Sequence, residues 1–203
     1  LEESIEKEVD YMGTRDYGFY GYVLVNSKYG GTFVDIFNNE KITNRINAIL
    51  GDSCVLYSYT SSSMPPGKGN DSSHVHVDSP IFLTDYILRM GVLIPLIDFT
   101  IENGATTYLP GSHKNEIEPT LEFYNKNAKV LDLKAGDAWF FHTRLWHSGG
   151  KNKTDKWRHA LTMNVSRPWI KQRVDIPGVM SDFDTSKLSD MAMQKLGFYA
   201  QVP

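Results

Sequence analysis

Two hydrophobic periods divide this chain. From Thr32 to Leu50, apolar residues fall at Phe33, Ile36, Phe37, Ile42, Ile46 and Leu50, close to helical spacing, with Gly51 as the stop. Thr185–Leu196 has a helical pattern too, and the acidic segment 2–11 predicts a first helix. Between these flanks the pattern shortens. Runs at Ser53–Thr60, Val75–Asp78, Tyr86–Asp98, Thr106–Leu109, Val130–Leu133, Ala138–Thr143 and Trp157–Ser166 predict strands, as does Tyr17–Val25 (YGFYGYVLV) further upstream. Pro65-Pro66-Gly67, Glu102-Asn103-Gly104 and Pro110-Gly111-Ser112 mark turns between them. Many short strands cut by Gly and Pro turns predict a sandwich or barrel. The expected fold is therefore mainly β with flanking helices: one domain over 1–203, with a β core at about 52–168 and helical flanks at about 1–51 and 169–203.

Alternation along the last predicted strand is inverted. Arg158, Ala160, Thr162 and Asn164 form a small, polar face, whereas Trp157, His159, Leu161, Met163 and Val165 form a mostly large, apolar one. With Arg158 pointing inward, the barrel would enclose a polar pocket. A second constellation lies upstream. In His76-Val77-Asp78, residues i and i+2 of a strand face one centre while Val77 faces away. With His147, they make two imidazoles and one carboxylate, the set that holds Fe(II) on one face and leaves its other positions open. Arg158 could then grip the far carboxylate of a diacid co-substrate bound to that metal.

Other residues compete for roles. His142 is the rival metal ligand, and His74 shares a face with His76 and Asp78 as a supporting or substrate-contacting group. His113 follows a Pro-Gly turn and is expected to cap a loop; His159 lies opposite Arg158 and is expected to be structural. Tyr57, Tyr59, Trp139, Phe141 and Trp146 are candidate pocket aromatics, with core packing the alternative. Ser61–Asn70 has the composition of a mobile loop, either a lid or a plain connection.

Composition narrows the function. Apolar residues at 41% and charged residues at 22% are ordinary for a globular chain. A net charge of −3 argues against a nucleic-acid partner. No run approaches the roughly 20 apolar residues of a membrane-spanning helix, and no charged-then-apolar opening suggests a signal peptide. The single cysteine, Cys54, excludes an internal disulfide and fits a reducing, cytoplasmic compartment. In that setting the acceptor tripeptides at Asn152 and Asn164 carry little weight. Oligomeric state is not encoded in any pattern here.

With these residues in place, the chain resembles the phytanoyl-CoA dioxygenase family of Fe(II)/2-oxoglutarate oxygenases. Glu102 to His113 (ENGATTYLPGSH) is similar to that family's "ENGAT…PGSH" segment. Gly136 to His142, leading to His147, is similar to its "GD…FH….H" segment, and Asn152, Thr154 and Arg158 to its "N.S/T…R" sequence. Lys187-Leu188-Ser189 through Lys195-Leu196-Gly197 resembles its tail helix. Recognisable motifs cover roughly 70–170. The resemblance implies a double-stranded β-helix (a cupin-like jelly roll), iron bound by His76, Asp78 and His147, and 2-oxoglutarate held by Arg158 with Thr106 as a second donor. It also implies consumption of O₂, release of succinate and CO₂, and hydroxylation of an unactivated C–H bond in a small molecule. Halogenases of this type replace the iron carboxylate by a small residue, so Asp78 favours hydroxylation; desaturation, epimerisation and cyclisation stay open. Two departures stand out. Relatives often have His-x-Ser where this chain has His147-Ser148-Gly149, and Gln or Trp before the His-x-Asp where it has His74-Val75. The rival readings are a non-catalytic binding module, which needs no arginine anchor, and an oxygenase acting on a protein.

Overall fold

The computed structural model describes residues 1–12 and 21–200. Helix α1 (Glu2–Met12) opens the chain, followed by a single turn, α2 (Thr32–Asp35), and by α3 (Glu40–Leu50). The predicted helix over 32–50 is thus broken, and Asn39 breaks it. Its backbone is extended (φ −79°, ψ 102°) and its side chain accepts the Lys41 N–H, so it caps α3 rather than continuing a turn. Strands β1 (Val55–Ser61), β2 (Arg89–Pro95) and β3 (Thr107–Tyr108) precede helix α4 (Leu121–Asn127). Then come β4 (Lys129–Val130), β5 (Trp139–His142), β6 (His147–Ser148) and β7 (Ala160–Ser166), with α5 (Ile176–Val179) and α6 (Asp190–Leu196) last.

The strands form two antiparallel sheets, of order β1-β7-β2-β5 and β4-β3-β6. More described residues stand in helices than in strands, so the fold is a mixed helix-and-sheet one rather than mainly β. The reason lies in the expected strand 75–78, which pairs through one residue only: His76 and His147 form an isolated bridge. Part of the expected strand Tyr17–Val25, residues 17–20, lies outside the described residues. Its remainder runs beside β1 without a regular ladder, because the Ser61 hydroxyl takes the Val23 N–H at 2.6 Å where a strand would offer a carbonyl. Segment 61–70 is not a free loop. Its first half is tied down by Ser62 N–H to Ala160 O (2.9 Å) and by paired bonds between Met64 and Arg158, and only Gly67 and Lys68 are exposed.

The larger sheet has two unlike faces, as the alternation in β7 predicts. Leu56, Val92, Leu161, Met163 and Val165 point outward and meet Phe37, Ile46 and Leu50 from the N-terminal helices and Ile176 and Leu196 from the C-terminal ones. Burying this layer, the largest apolar cluster among the described residues, stabilises the sheet at roughly 25 cal/mol per Å² of apolar surface. The inner face carries Thr60, Thr162 and Asn164 and borders a cavity of about 400 Å³. Sheet and helices together leave one side of the sheet free for chemistry. Met163, wholly buried on the outer layer, is expected to cost about 2–5 kcal/mol when replaced by Ala, measured by urea unfolding. A cost near zero would mean that the layer does not hold the sheet.

A candidate metal and co-substrate site

His76, Asp78 and His147 converge at the mouth of this cavity. Their ligand atoms all lie within 4.8 Å of one another, and among the described residues no other group of three such side chains does so. The two histidines come from segments far apart in sequence. Their main chains exchange two hydrogen bonds, His76 N–H to His147 O at 2.9 Å and the reverse at 3.0 Å. Such a pair sets the two Cα atoms about 5.5 Å apart and turns both side chains to one face. Asp78 follows on that face; its Oδ1 is 3.7 Å from His76 Nε2 and 3.6 Å from His147 Nε2.

Each imidazole is fixed by its own chain. His76 Nδ1 donates to the His74 carbonyl at 2.8 Å and His147 Nδ1 to the Leu145 carbonyl at 2.9 Å. With the proton on Nδ1, both Nε2 lone pairs face the shared centre, which is the tautomer a metal requires. Burial, and then the neighbouring His147, holds His76 below the ordinary imidazole range and so favours its neutral form. Asn164 Nδ2 donates to Asp78 Oδ2 at 3.2 Å, orienting the carboxylate. Two imidazoles and a carboxylate on one side suit a divalent first-row ion, Fe(II) above all.

Arg158 lies deep beside the cavity, 1% exposed, with its guanidinium carbon 4.2 Å from the centre of the Phe99 ring. One Nη donates to the Ser62 carbonyl at 3.4 Å, whereas Nε and the other Nη are buried with no partner. Burial pushes its pKa down to about 10, which still leaves it cationic near neutral pH. A buried cation with idle donors is unfavourable unless an anion meets it, and the carboxylate of a 2-oxo diacid fits those donors. Thr106 is buried and lines the same cavity.

The remaining candidates separate. His142 takes the Arg144 N–H on Nδ1 at 3.0 Å, stacks on His113 at 5.3 Å, and lines a different cavity with Phe82 and Tyr86. His74 is exposed and serves the site through its carbonyl. His159 bonds Ser63 Oγ at 3.0 Å and Glu2 Oε1 at 3.1 Å, tying α1 to the sheet. Of the aromatics, Trp139 and Phe141 line the cavity; Tyr59 is core, packed on Phe37; Trp146 lies by Leu109 and Tyr124 in another cluster; and Tyr57 stacks under Arg89. Asn152 and Asn164, the acceptor tripeptide positions, are spent internally: Asn152 donates to the Met64 and Lys156 carbonyls, and Asn164 holds Asp78.

Sequence reading missed Tyr22, Leu24, Ser58 and Ser72, which also line the cavity. Ser58 and Thr60 carried a signal, being polar and alternate on β1, whereas Ser72 carried none. Ser72 also bears on Gly149. A Cβ on residue 149 would stand 2.7 Å from Ser72 Oγ and run into the Met64 methyl, so a side chain there would have to displace one or both of them. The hydroxyl beside Gly149 is that of Ser72, on the turn capped by Asn70, where it donates to Asn70 Oδ1 at 2.8 Å.

If Asn164 orients Asp78 for a metal, Asn164→Ala is expected to weaken divalent-ion affinity by about 10–100-fold, read by anaerobic calorimetry with Fe(II). Wild-type affinity in that variant would remove it from the role.

The family profile described as phytanoyl-CoA dioxygenase (PhyH) matches residues 17–160. An uncharacterized protein of Mycobacterium tuberculosis is 26% identical over 207 residues, an alignment covering 100% of this chain and 76% of that protein. The Fe(II)/2-oxoglutarate-dependent dioxygenase nvfF of Aspergillus novofumigatus is 28% identical over 144 residues, covering 64% of this chain and 46% of its own. The chain thus spans about half the length of such dioxygenase relatives. Among solved structures, the epimerase SnoN in complex with Fe3+, alpha ketoglutarate and nogalamycin RO shares the fold, with a TM-score of 0.59 at 22% identity over 72% of this chain and 63% of that one. The profile match takes in most of the chain, His76, Asp78, His147 and Arg158 included, and the chain belongs to the phytanoyl-CoA dioxygenase family.

Proposed function

We propose that this protein is an Fe(II)- and 2-oxoglutarate-dependent dioxygenase that hydroxylates an unactivated C–H bond of a small molecule. The observation that carries the reading is a pairing of two features, one lining the cavity and one buried behind its wall at Ser62. Two oriented imidazoles and a carboxylate converge on a centre, and a buried arginine offers two unused donors nearby. A binding module without turnover would have no use for that stranded cation.

His76, Asp78 and His147 would hold the iron on one side and leave its other positions facing the cavity. Arg158 would anchor the far carboxylate of 2-oxoglutarate through its free Nε and Nη, with Thr106 as a further donor. When bound, iron and 2-oxoglutarate supply the reducing power that splits O₂, giving succinate, CO₂ and an oxidised substrate. Around them the chain's own part is to exclude water and set distance. Phe141 closes one wall, its ring 5.3 Å from that of His147 and 4.4 Å from that of Trp139. Gly91 lets it sit there, since a Cβ on residue 91 would strike the Phe141 ring.

The same proposal includes the finer architecture and setting. The two antiparallel sheets are the halves of a double-stranded β-helix, and the described residues form one domain. The buried, unpaired Cys54 agrees with a reducing cytoplasmic compartment; no helix among the described residues is long and apolar enough to cross a membrane. No nucleic-acid partner is proposed, on the net charge of −3.

Anaerobic addition of 2-oxoglutarate to the Fe(II)-loaded protein is expected to raise a weak visible charge-transfer band that is absent in His147→Ala. Iron binding without such a band would favour the non-catalytic reading. Arg158→Met is expected to raise the 2-oxoglutarate requirement by about 30-fold or more, the cost of stranding one half of a buried charge pair, with iron affinity kept. Unchanged co-substrate dependence would refute its role.

A further inference from the structure

A second buried arginine lies on the same inner face, and the reading above gives it no task. Arg89 begins β2, one same-face step before Gly91 and two before Leu93, which lines the cavity. It is 8% exposed. Its guanidinium carbon lies over the Tyr57 ring, 3.7 Å from the ring centre. That contact engages the cation without using its N–H donors. The side chain makes no hydrogen bond to a described residue, no carboxylate among the described residues pairs with it, and its Nε is fully buried.

The neighbours share this condition. Across the sheet Arg89 faces Ser166 and Gly91 faces Asn164. Ser166 Oγ and Asn164 Oδ1 are both buried without a partner. Three adjacent polar side chains are therefore left unsatisfied together, which a folded interior ordinarily avoids. Asn164 links the cluster to the metal centre, because its Nδ2 holds Asp78 at 3.2 Å. Along the inner face the order is Arg158, then Thr162 and Asn164, then Ser166 with Arg89 beside it, so the two arginines flank the centre from opposite ends. The open edge beyond is marked by Arg173, an exposed cavity-lining residue whose N–H bonds the Tyr57 carbonyl at 2.9 Å.

We propose that this end of the inner face, adjoining the cavity at Asn164, is an anion subsite in which Arg89 receives a carboxylate of the molecule to be oxidised, so that the protein acts on small carboxylic acids. The inference rests on the dioxygenase reading for its second ligand and for the site of reaction. A planar carboxylate meets two donors of a guanidinium at once, and Ser166 Oγ can donate to the same group. An acid held there by one end projects its chain toward the metal centre past Asn164, which would fix the carbon presented for oxidation.

Arginine-labelled protein loaded with Zn(II), which has no redox chemistry, and with 2-oxoglutarate provides the test. The Nε–H resonance of Arg89 is identified by its loss in Arg89→Gln, and that of Arg158 by its loss in Arg158→Met. Propionate and benzoate are expected to shift the Arg89 signal saturably, and propionamide and benzamide to leave it in place. By calorimetry, Arg89→Gln is expected to lose at least about tenfold in benzoate affinity while keeping its affinity for 2-oxoglutarate. Equal shifts with acids and amides, no saturable shift with either acid, or a shift with inorganic phosphate alone would overturn the proposal. The co-substrate reading fails separately, if 2-oxoglutarate leaves the Arg158 signal unmoved. Movement of the Arg89 signal by 2-oxoglutarate in place of the Arg158 signal would overturn both assignments.

Discussion

Two main-chain hydrogen bonds between His76 and His147 are the contact on which the candidate site depends. They are the whole of the pairing between the extended segment after the Asn70 turn and β6, whose own ladder is with β3 on its other side. Each histidine spends its Nδ1 on a carbonyl two residues away in its own chain, so ring orientation follows from backbone position. Once the bridge forms, the two Nε2 atoms and the Asp78 carboxylate have little freedom left. A metal site assembled in this way loses little conformational entropy on binding its ion.

The bridge is affordable because the larger sheet is stabilised from its other side. Leu56, Val92, Met163 and Val165 bury an apolar layer under both helical flanks, which lets the inner face hold polar atoms that do not stabilise the fold. Arg158 is the extreme case, a cation almost wholly removed from water with two donors idle. Arg89, Ser166 and Asn164 repeat the condition at the opposite end. Local rules of burial are broken on one face of one sheet and kept on the other, and such clustering marks a functional surface. Each cation also has an aromatic partner: the guanidinium carbon of Arg158 lies 4.2 Å from the Phe99 ring centre and that of Arg89 3.7 Å from the Tyr57 ring centre.

Much of this was legible in residue order. The inverted alternation of 158–166 correctly separated Arg158, Thr162 and Asn164 from Leu161, Met163 and Val165, because strand geometry converts spacing into sidedness. The spacing of His76 and Asp78 placed them together for the same reason. Where periodicity misled, a local hydrogen bond was responsible. Asn39 caps α3 and cuts a helix that the apolar spacing runs through, although Asn-Glu at that position is itself a start signal. Ser61 captures the Val23 N–H and interrupts the described part of an expected strand. Segment 61–70 has the composition of a loop, yet Met64 pairs with Arg158, 94 positions away, and ties it to the sheet.

Amphipathic period, turn residues and ligand types are properties of neighbours in the chain, so they settle which segments form elements, which way β7 faces and which side chains could bind iron. Register between distant segments is not such a property. The sequence already favoured His147 over His142; the folded chain supplies the contacts, bridging the first to His76 and stacking the second on His113. Only the fold showed that Ser72 fills the space beside Gly149, that Asn164 steadies Asp78, and that Arg89 stands without a partner across from Ser166. Each of these depends on backbone hydrogen bonds between residues far apart in sequence, and the free energy of those pairings is shared across the whole sheet rather than written into any one stretch of it.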